Sequence, residues 1–93
     1  MHEQSRDNIV EKLTVKRSKE ILNDEVKMSI LNMLNRQGPV SFGDIIRELG
    51  ISQQTGTNHI LELKLLGLID KFVDPPNYNI NPDRFALLMK QKR

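Results

Sequence analysis

The chain has 93 residues, 38% of them hydrophobic and 28% charged, with a formal net charge of +2. This is the size of one domain with a modest core and the composition of an ordinary globular protein. It has no cysteine, which excludes a disulfide framework and a thiolate metal site, and no apolar run approaches the length of a membrane span.

The opening residues, MHEQSRDN, lack the apolar stretch of a secretory leader, so an intracellular, cytoplasmic protein is expected. The positive excess is not spread evenly. It falls in residues 71–93, where five basic residues stand against two acidic ones. A nucleic-acid binder usually carries a basic patch, and none stands out along this chain.

Residues Ser5 to Asn23 read as a helix, with Ile9, Val10, Leu13, Ile21 and Leu22 as its stripe. A break is expected near Thr14, because Thr14 to Lys19 is polar and partly β-branched. Lys16, Arg17 and Lys19 read as a solvated face. Asp24 then caps a stronger helix over Glu25 to about Gln37, lined by Val26, Ile30 and Leu34 and widened by Leu31 and Met33. Gly38-Pro39 stops it, since glycine suits the terminus and proline cannot continue the helix.

The stretch from Ser41 to Ile69 carries the clearest signal. Phe42, Ile45, Ile46 and Leu49 make an apolar stripe on a short helix. Ser41 is its N-cap, with Asp44 in capping-box position, and Gly50 is its stop. Ser52 caps the next helix almost at once, and Gly67 ends it after about Leu66. Two short helices joined by so tight a turn make a helix-turn-helix.

The second helix has an apolar side, Gly56, Ile60 and Leu63, and an opposite side of Gln54, Thr57 and Asn58 with Gln53 at its flank. Amides and hydroxyls both donate to and accept from base edges in a major groove. The plainer reading is a solvated helix face. After a helix and turn, and before a hairpin, the groove-reading alternative is the better one.

Leu68 to Val73 reads as a strand, Asp74-Pro75-Pro76-Asn77 as a turn, and Tyr78 to Ile80 as the return strand. Asn81 caps a last helix with Pro82 in its first position. Phe85, Leu88 and Met89 are expected to form its apolar edge, before a basic end at Lys90 to Arg93.

The order helix-helix-helix-helix-strand-strand-helix, mainly α with a small β-hairpin, is that of a winged helix-turn-helix. Residues 22–69 resemble the ArsR-type winged helix-turn-helix transcriptional regulators of archaea and bacteria. The resemblance rests on Leu22-Asn23-Asp24-Glu25-Val26, Ile30-Leu31, Met33-Leu34, Gly38-Pro39-Val40-Ser41-Phe42 and Leu49-Gly50-Ile51-Ser52-Gln53. Thr55, Thr57, His59, Ile60, Leu63 and Gly67-Leu68-Ile69 continue it. It implies a homodimer on double-stranded DNA, with the helix of residues 52–66 in the major groove and the flanking helices, 5–22 and 82–91, in the dimer interface.

In this reading the whole chain, 1–93, is one DNA-binding domain without cofactor, metal or catalytic residues. Ser52, Gln53, Gln54, Thr55, Thr57, Asn58, His59, Lys64 and Lys71 are the candidate DNA contacts. His2 and His59 are the only histidines, too few for the metal sites of sensor relatives. Ser41 and Ser52 serve better as caps than as nucleophiles. Gly56 stands where relatives carry Val or Leu, so it is read as a lost core contact, and Gly56→Ala is expected to stabilise the helix. Leu61 and Leu65 replace residues normally polar in relatives. They motivate the alternative of a protein-interaction winged helix that contacts transcription machinery without reading bases.

Overall fold

In the computed structural model, which describes residues 13–72 and 77–92, each helix opens on a side-chain oxygen. Thr14 caps α1 (Val15–Leu22), Asp24 caps α2 (Glu25–Gln37) and Ser41 caps α3 (Phe42–Leu49). Ser52 caps α4 (Gln53–Leu65) and Asn81 caps α5 (Pro82–Lys90). Every cap accepts an N–H of the first turn that has no partner inside the helix, an interaction worth roughly 1 kcal/mol. The α3–α4 turn is closed by glycine geometry. Gly50 has φ 66° and ψ 35°, which lets the Ile51 N–H reach the Ile46 carbonyl at 3.2 Å. Gly67, at φ 73°, does the same after α4, where the Leu68 N–H reaches the Leu63 carbonyl at 2.9 Å.

The sheet has one strand more than the sequence pattern predicts. Strand β1 (Val40–Ser41) pairs with β3 (Asn77–Ile80), and β2 (Ile69–Phe72) pairs with the other edge of β3, all antiparallel in the order β1-β3-β2. Val40 faces Tyr78 and Ser41 faces Asn77; across the hairpin Ile69 faces Ile80 and Lys71 faces Tyr78. A two-residue strand has no alternation to read, and its conformation is set by its partner. The fold is a winged helix, mainly helical, with this small three-stranded sheet beside the helix-turn-helix.

Some boundaries also change. The helix expected over residues 5–22 starts, within the described residues, at Val15, on the break expected at Thr14. Its earlier part, with Ile9 and Val10, lies outside the described residues, as do residues 73–76 of the expected turn. Asn77 belongs to β3, not to that turn. The helix expected over 52–66 runs over 53–65 with Ser52 and Leu66 as its caps, and the one expected over 82–91 ends at Lys90.

The core is built by Ile30, Leu31, Met33 and Leu34 of α2, Ile45 of α3, Ile60 and Leu63 of α4, and Leu66, Leu68 and Ile69 beyond it. Leu88 of α5 is also fully buried there. The expected apolar edge of this helix turns inward: Leu88 fills the core and Phe85 packs against it. The large exposed apolar residue of α5 is Leu87, at 50%. Arg84 ties α5 to the end of α4 by donating to the Leu66 carbonyl at 3.1 Å.

Candidate nucleic-acid interface

Helix α4 presents a buried side, an open side and two flanks. Gly56, Ile60 and Leu63 are buried against the core. Opposite them, at about 100° per residue, stand Gln54, Asn58, Leu61 and Leu65, with Gln53 and Thr57 beside them, and all six are exposed. Among the described residues, Gln53, Gln54, Thr57 and Asn58 have no side-chain hydrogen bond within the fold. Their amides and hydroxyl are open to an external partner.

At Gly56, α4 packs directly on side chains of α3. A β-carbon there would lie 2.8 Å from Cγ2 of Ile46 and 3.1 Å from Cε1 of Phe42. The reading of Gly56 as a lost core contact is therefore corrected. The place a side chain would fill is already occupied by Ile46 and Phe42, and the absence of a β-carbon lets the two helices of the motif meet.

One flank of α4 is clamped to α2. Lys27, 8% exposed, sits on the buried stripe of α2. Its ammonium donates to Asp24 Oδ2 at 3.0 Å, Glu62 Oε1 at 2.5 Å and His59 Nδ1 at 2.9 Å. With Nδ1 accepting, the ring proton of His59 belongs on Nε2. Burial opposes the charge on Lys27, but its hydrogen bonds to Glu62 and Asp24 outweigh it and hold the ammonium above the usual lysine value. Burial likewise opposes ionisation of Asp24. The Lys27 backbone N–H and ammonium, with His59 nearby, still bring that carboxyl below its usual value.

The other flank borders a hollow of about 370 Å³ between α4, the start of α3 and the sheet. Thr57, Ile60, Leu61 and Lys64 of α4, Phe42 of α3, and Lys71 and Tyr78 of the sheet line it.

The structure thus sorts the nine sequence-derived candidates. Gln53, Gln54, Thr57 and Asn58 lie together on the open side of α4. Lys64 at the end of α4 and Lys71 on β2 both line the hollow. Ser52 and Thr55 are engaged in the cap: Ser52 Oγ accepts the Thr55 N–H at 3.1 Å and donates to Thr55 Oγ1 at 3.0 Å. His59 is turned to the opposite flank, towards Lys27.

The Asp24–Lys27–Glu62 cluster was missed by sequence reasoning, though a signal existed. Lys27 stands at helical spacing with Ile30, Leu31 and Leu34, a cation within an apolar stripe. Among the described residues no group of three or more histidines and carboxylates is placed to hold a metal, and no helix is long and apolar enough to cross a membrane.

A family model described as the MarR family matches residues 23–76, more than half of the chain. The match runs from just before the cap of α2 through the helix-turn-helix and strand β2. It agrees with the winged helix-turn-helix regulator class expected from the motifs, under the MarR heading where the motif resemblance pointed to the ArsR type. No curated protein matches the chain.

Proposed function

The chain belongs to the MarR family, whose winged-helix domains serve DNA-binding transcriptional regulation, and we propose that it is a sequence-specific regulator that binds double-stranded DNA as a homodimer. Helix α4 enters the major groove with Gln53, Gln54, Thr57 and Asn58 towards the base edges, while Ser52, Thr55, Lys64 and Lys71 lie towards the phosphates. His59 acts indirectly, by holding α4 to α2.

The observation that carries this reading is the open side of α4. Three amide side chains and a hydroxyl stand exposed and unengaged on a helix whose other sides are fixed by the core and by Lys27. Exposed helix faces of ordinary domains are dominated by lysine and glutamate, whereas this one carries amides, which both donate and accept and pair bidentately with adenine N6 and N7. The ArsR-like spelling of residues 22–69 supports the same placement of α4. Dimerisation through α1 and α5 is supported by exposed Val15 and Leu87, at 55% and 50%. A two-fold dimer would present α4 twice to a symmetric site.

A second reading, docking onto a protein of the transcription assembly, is favoured by the exposure of Leu61 and Leu65, 51% and 46%. Selection from a random DNA pool, followed by polarisation titrations over a salt series, separates the two. A groove-reading regulator enriches one motif and loses affinity as salt rises, in proportion to the phosphates it neutralises. Failure to enrich any motif would favour the protein-docking reading.

A further inference from the structure

We propose that Leu61 is a specificity-determining residue that seats the 5-methyl group of a thymine, an inference that rests on α4 reading the major groove. Leu61 is half exposed on the outer side of α4. Around the helix it falls between Gln54 and Thr57, at about 100° per residue. An apolar side chain in that position gains nothing from water, yet half of it stays uncovered by the described residues.

The surroundings define what suits it. Leu61 borders the hollow whose charged lining is Lys64 and Lys71, with no acidic side chain among the described residues. Glu62, its neighbour in sequence, is drawn to the far flank by Lys27, 2.5 Å away. The fitting occupant is anionic outside and carries a small apolar group at its centre. A DNA strand has that chemistry in the major groove: phosphates that lysines neutralise, and the thymine C5-methyl as the one apolar group on a base edge. Asn58 lies three residues before Leu61, on the same side of the helix. Its amide suits adenine N6 and N7, so together the two side chains are suited to A·T pairs, one taking the adenine and the other the methyl. An acidic segment of a partner protein is the competing occupant.

The test replaces each thymine of the selected site by uracil in turn, which removes only the methyl group. Binding of the parent and of Leu61→Ala is then measured at one salt concentration, with circular dichroism confirming that the variant is folded. One substitution should weaken the parent roughly fourfold, the equivalent of one buried methyl. The same substitution should leave Leu61→Ala unaffected, and Leu61→Ala should already be several-fold weaker on the thymine site. The proposal is overturned if the parent ignores every uracil, if both proteins lose equally at each position, or if Leu61→Ala binds as tightly as the parent. In those cases a selected motif with salt-dependent affinity would leave groove reading by α4 intact, with the hollow free for a protein partner. If no motif can be selected, both readings fall together.

Discussion

Nζ of Lys27 lies 2.9 Å from Nδ1 of His59, so a nearly buried cation on α2 fixes the flank of the helix that faces outward. The same ammonium serves Asp24 and Glu62. Removing it in Lys27→Met would leave two carboxylates and an imidazole facing an apolar chain. Deleting one member of a buried ionic group is strongly destabilising, but Asp24 and Glu62 are partly exposed and regain water. A loss of about 1–3 kcal/mol is expected in urea unfolding. A variant as stable as the parent would mean that the clamp contributes little beyond what an apolar side chain supplies.

The clamp also sets a pH dependence. The folded-state value of Asp24 is depressed, so its contribution is complete above the ordinary value of 3.8 and disappears as pH falls through the lower folded value. Asp44, lowered by its pairing with Arg47, acts in the same direction. Lys27 is raised, so its contribution is complete below 10.5 and disappears as pH rises through the higher folded value. As far as these groups decide it, stability is flat across neutral pH and falls at both extremes. Asp24→Asn should therefore show a smaller drop in Tm between pH 6 and pH 3 than the parent. Equal drops would show that Asp24 is not among the groups driving acid unfolding.

Gly56→Ala is expected to destabilise the fold. Alanine gains up to about 1 kcal/mol of helix propensity over glycine. Against this, the new methyl would stand 2.8 Å from Ile46 Cγ2, on a β-branched side chain whose rotamer is stiff in a helix. Overpacking of this kind costs about 1–3 kcal/mol, which outweighs the propensity gain. Thermal denaturation decides the sign, and a higher Tm would mean that α3 yields easily to α4.

Gly56 also marks where the sequence stops being legible. Caps and stops are local chemistry, which is why Asp24, Ser41, Ser52 and Asn81 could be placed on their helices from neighbouring residues alone. The apolar stripes likewise located most of the core. What surrounds Gly56 depends on the crossing of two helices, so the crowding by Ile46 and Phe42 that reverses the expected sign of its substitution is not visible in the sequence. Strand β1 escaped notice because Val40 and Ser41 are extended only by pairing with Tyr78 and Asn77. That Lys64 and Lys71 border one hollow was hidden for the same reason, since the hollow exists only once the sheet is folded against α4. Lys27 differs from these: its position on the stripe was visible, but the carboxylates that make a buried cation tolerable come from a cap and from another helix.

The dimer proposed above depends on which apolar residues of α1 and α5 stay exposed. Leu88 is fully buried in the protomer core, so Leu88→Ala should lower protomer stability by about 2–5 kcal/mol. Leu87 and Val15 are the exposed positions, and Leu87→Glu should weaken self-association while leaving the helical content unchanged. Light scattering on parent and variant checks this. A parent that is monomeric at tens of micromolar, with and without DNA, would reject the dimer.

The base-reading role of α4 gives the most discriminating mutations. Gln54 and Asn58 are exposed and unengaged within the fold, so truncating either should change stability by no more than about 0.5 kcal/mol. If their amides read base edges, Gln54→Ala and Asn58→Ala should each weaken binding to the selected site by about 1–3 kcal/mol and relax preference at one base pair. Affinity for unrelated DNA and the slope of affinity against salt should hardly move, because both depend on phosphate contacts. Lys64→Ala and Lys71→Ala should show the reverse: weaker binding to every sequence and a shallower salt slope. The two patterns cannot both arise from a general loss of folding, which would lower specific and non-specific binding together. Parent-like affinity of both Gln54→Ala and Asn58→Ala for the selected site would remove α4 from the groove, and the exposed Leu61 and Leu65 would then argue for a protein partner.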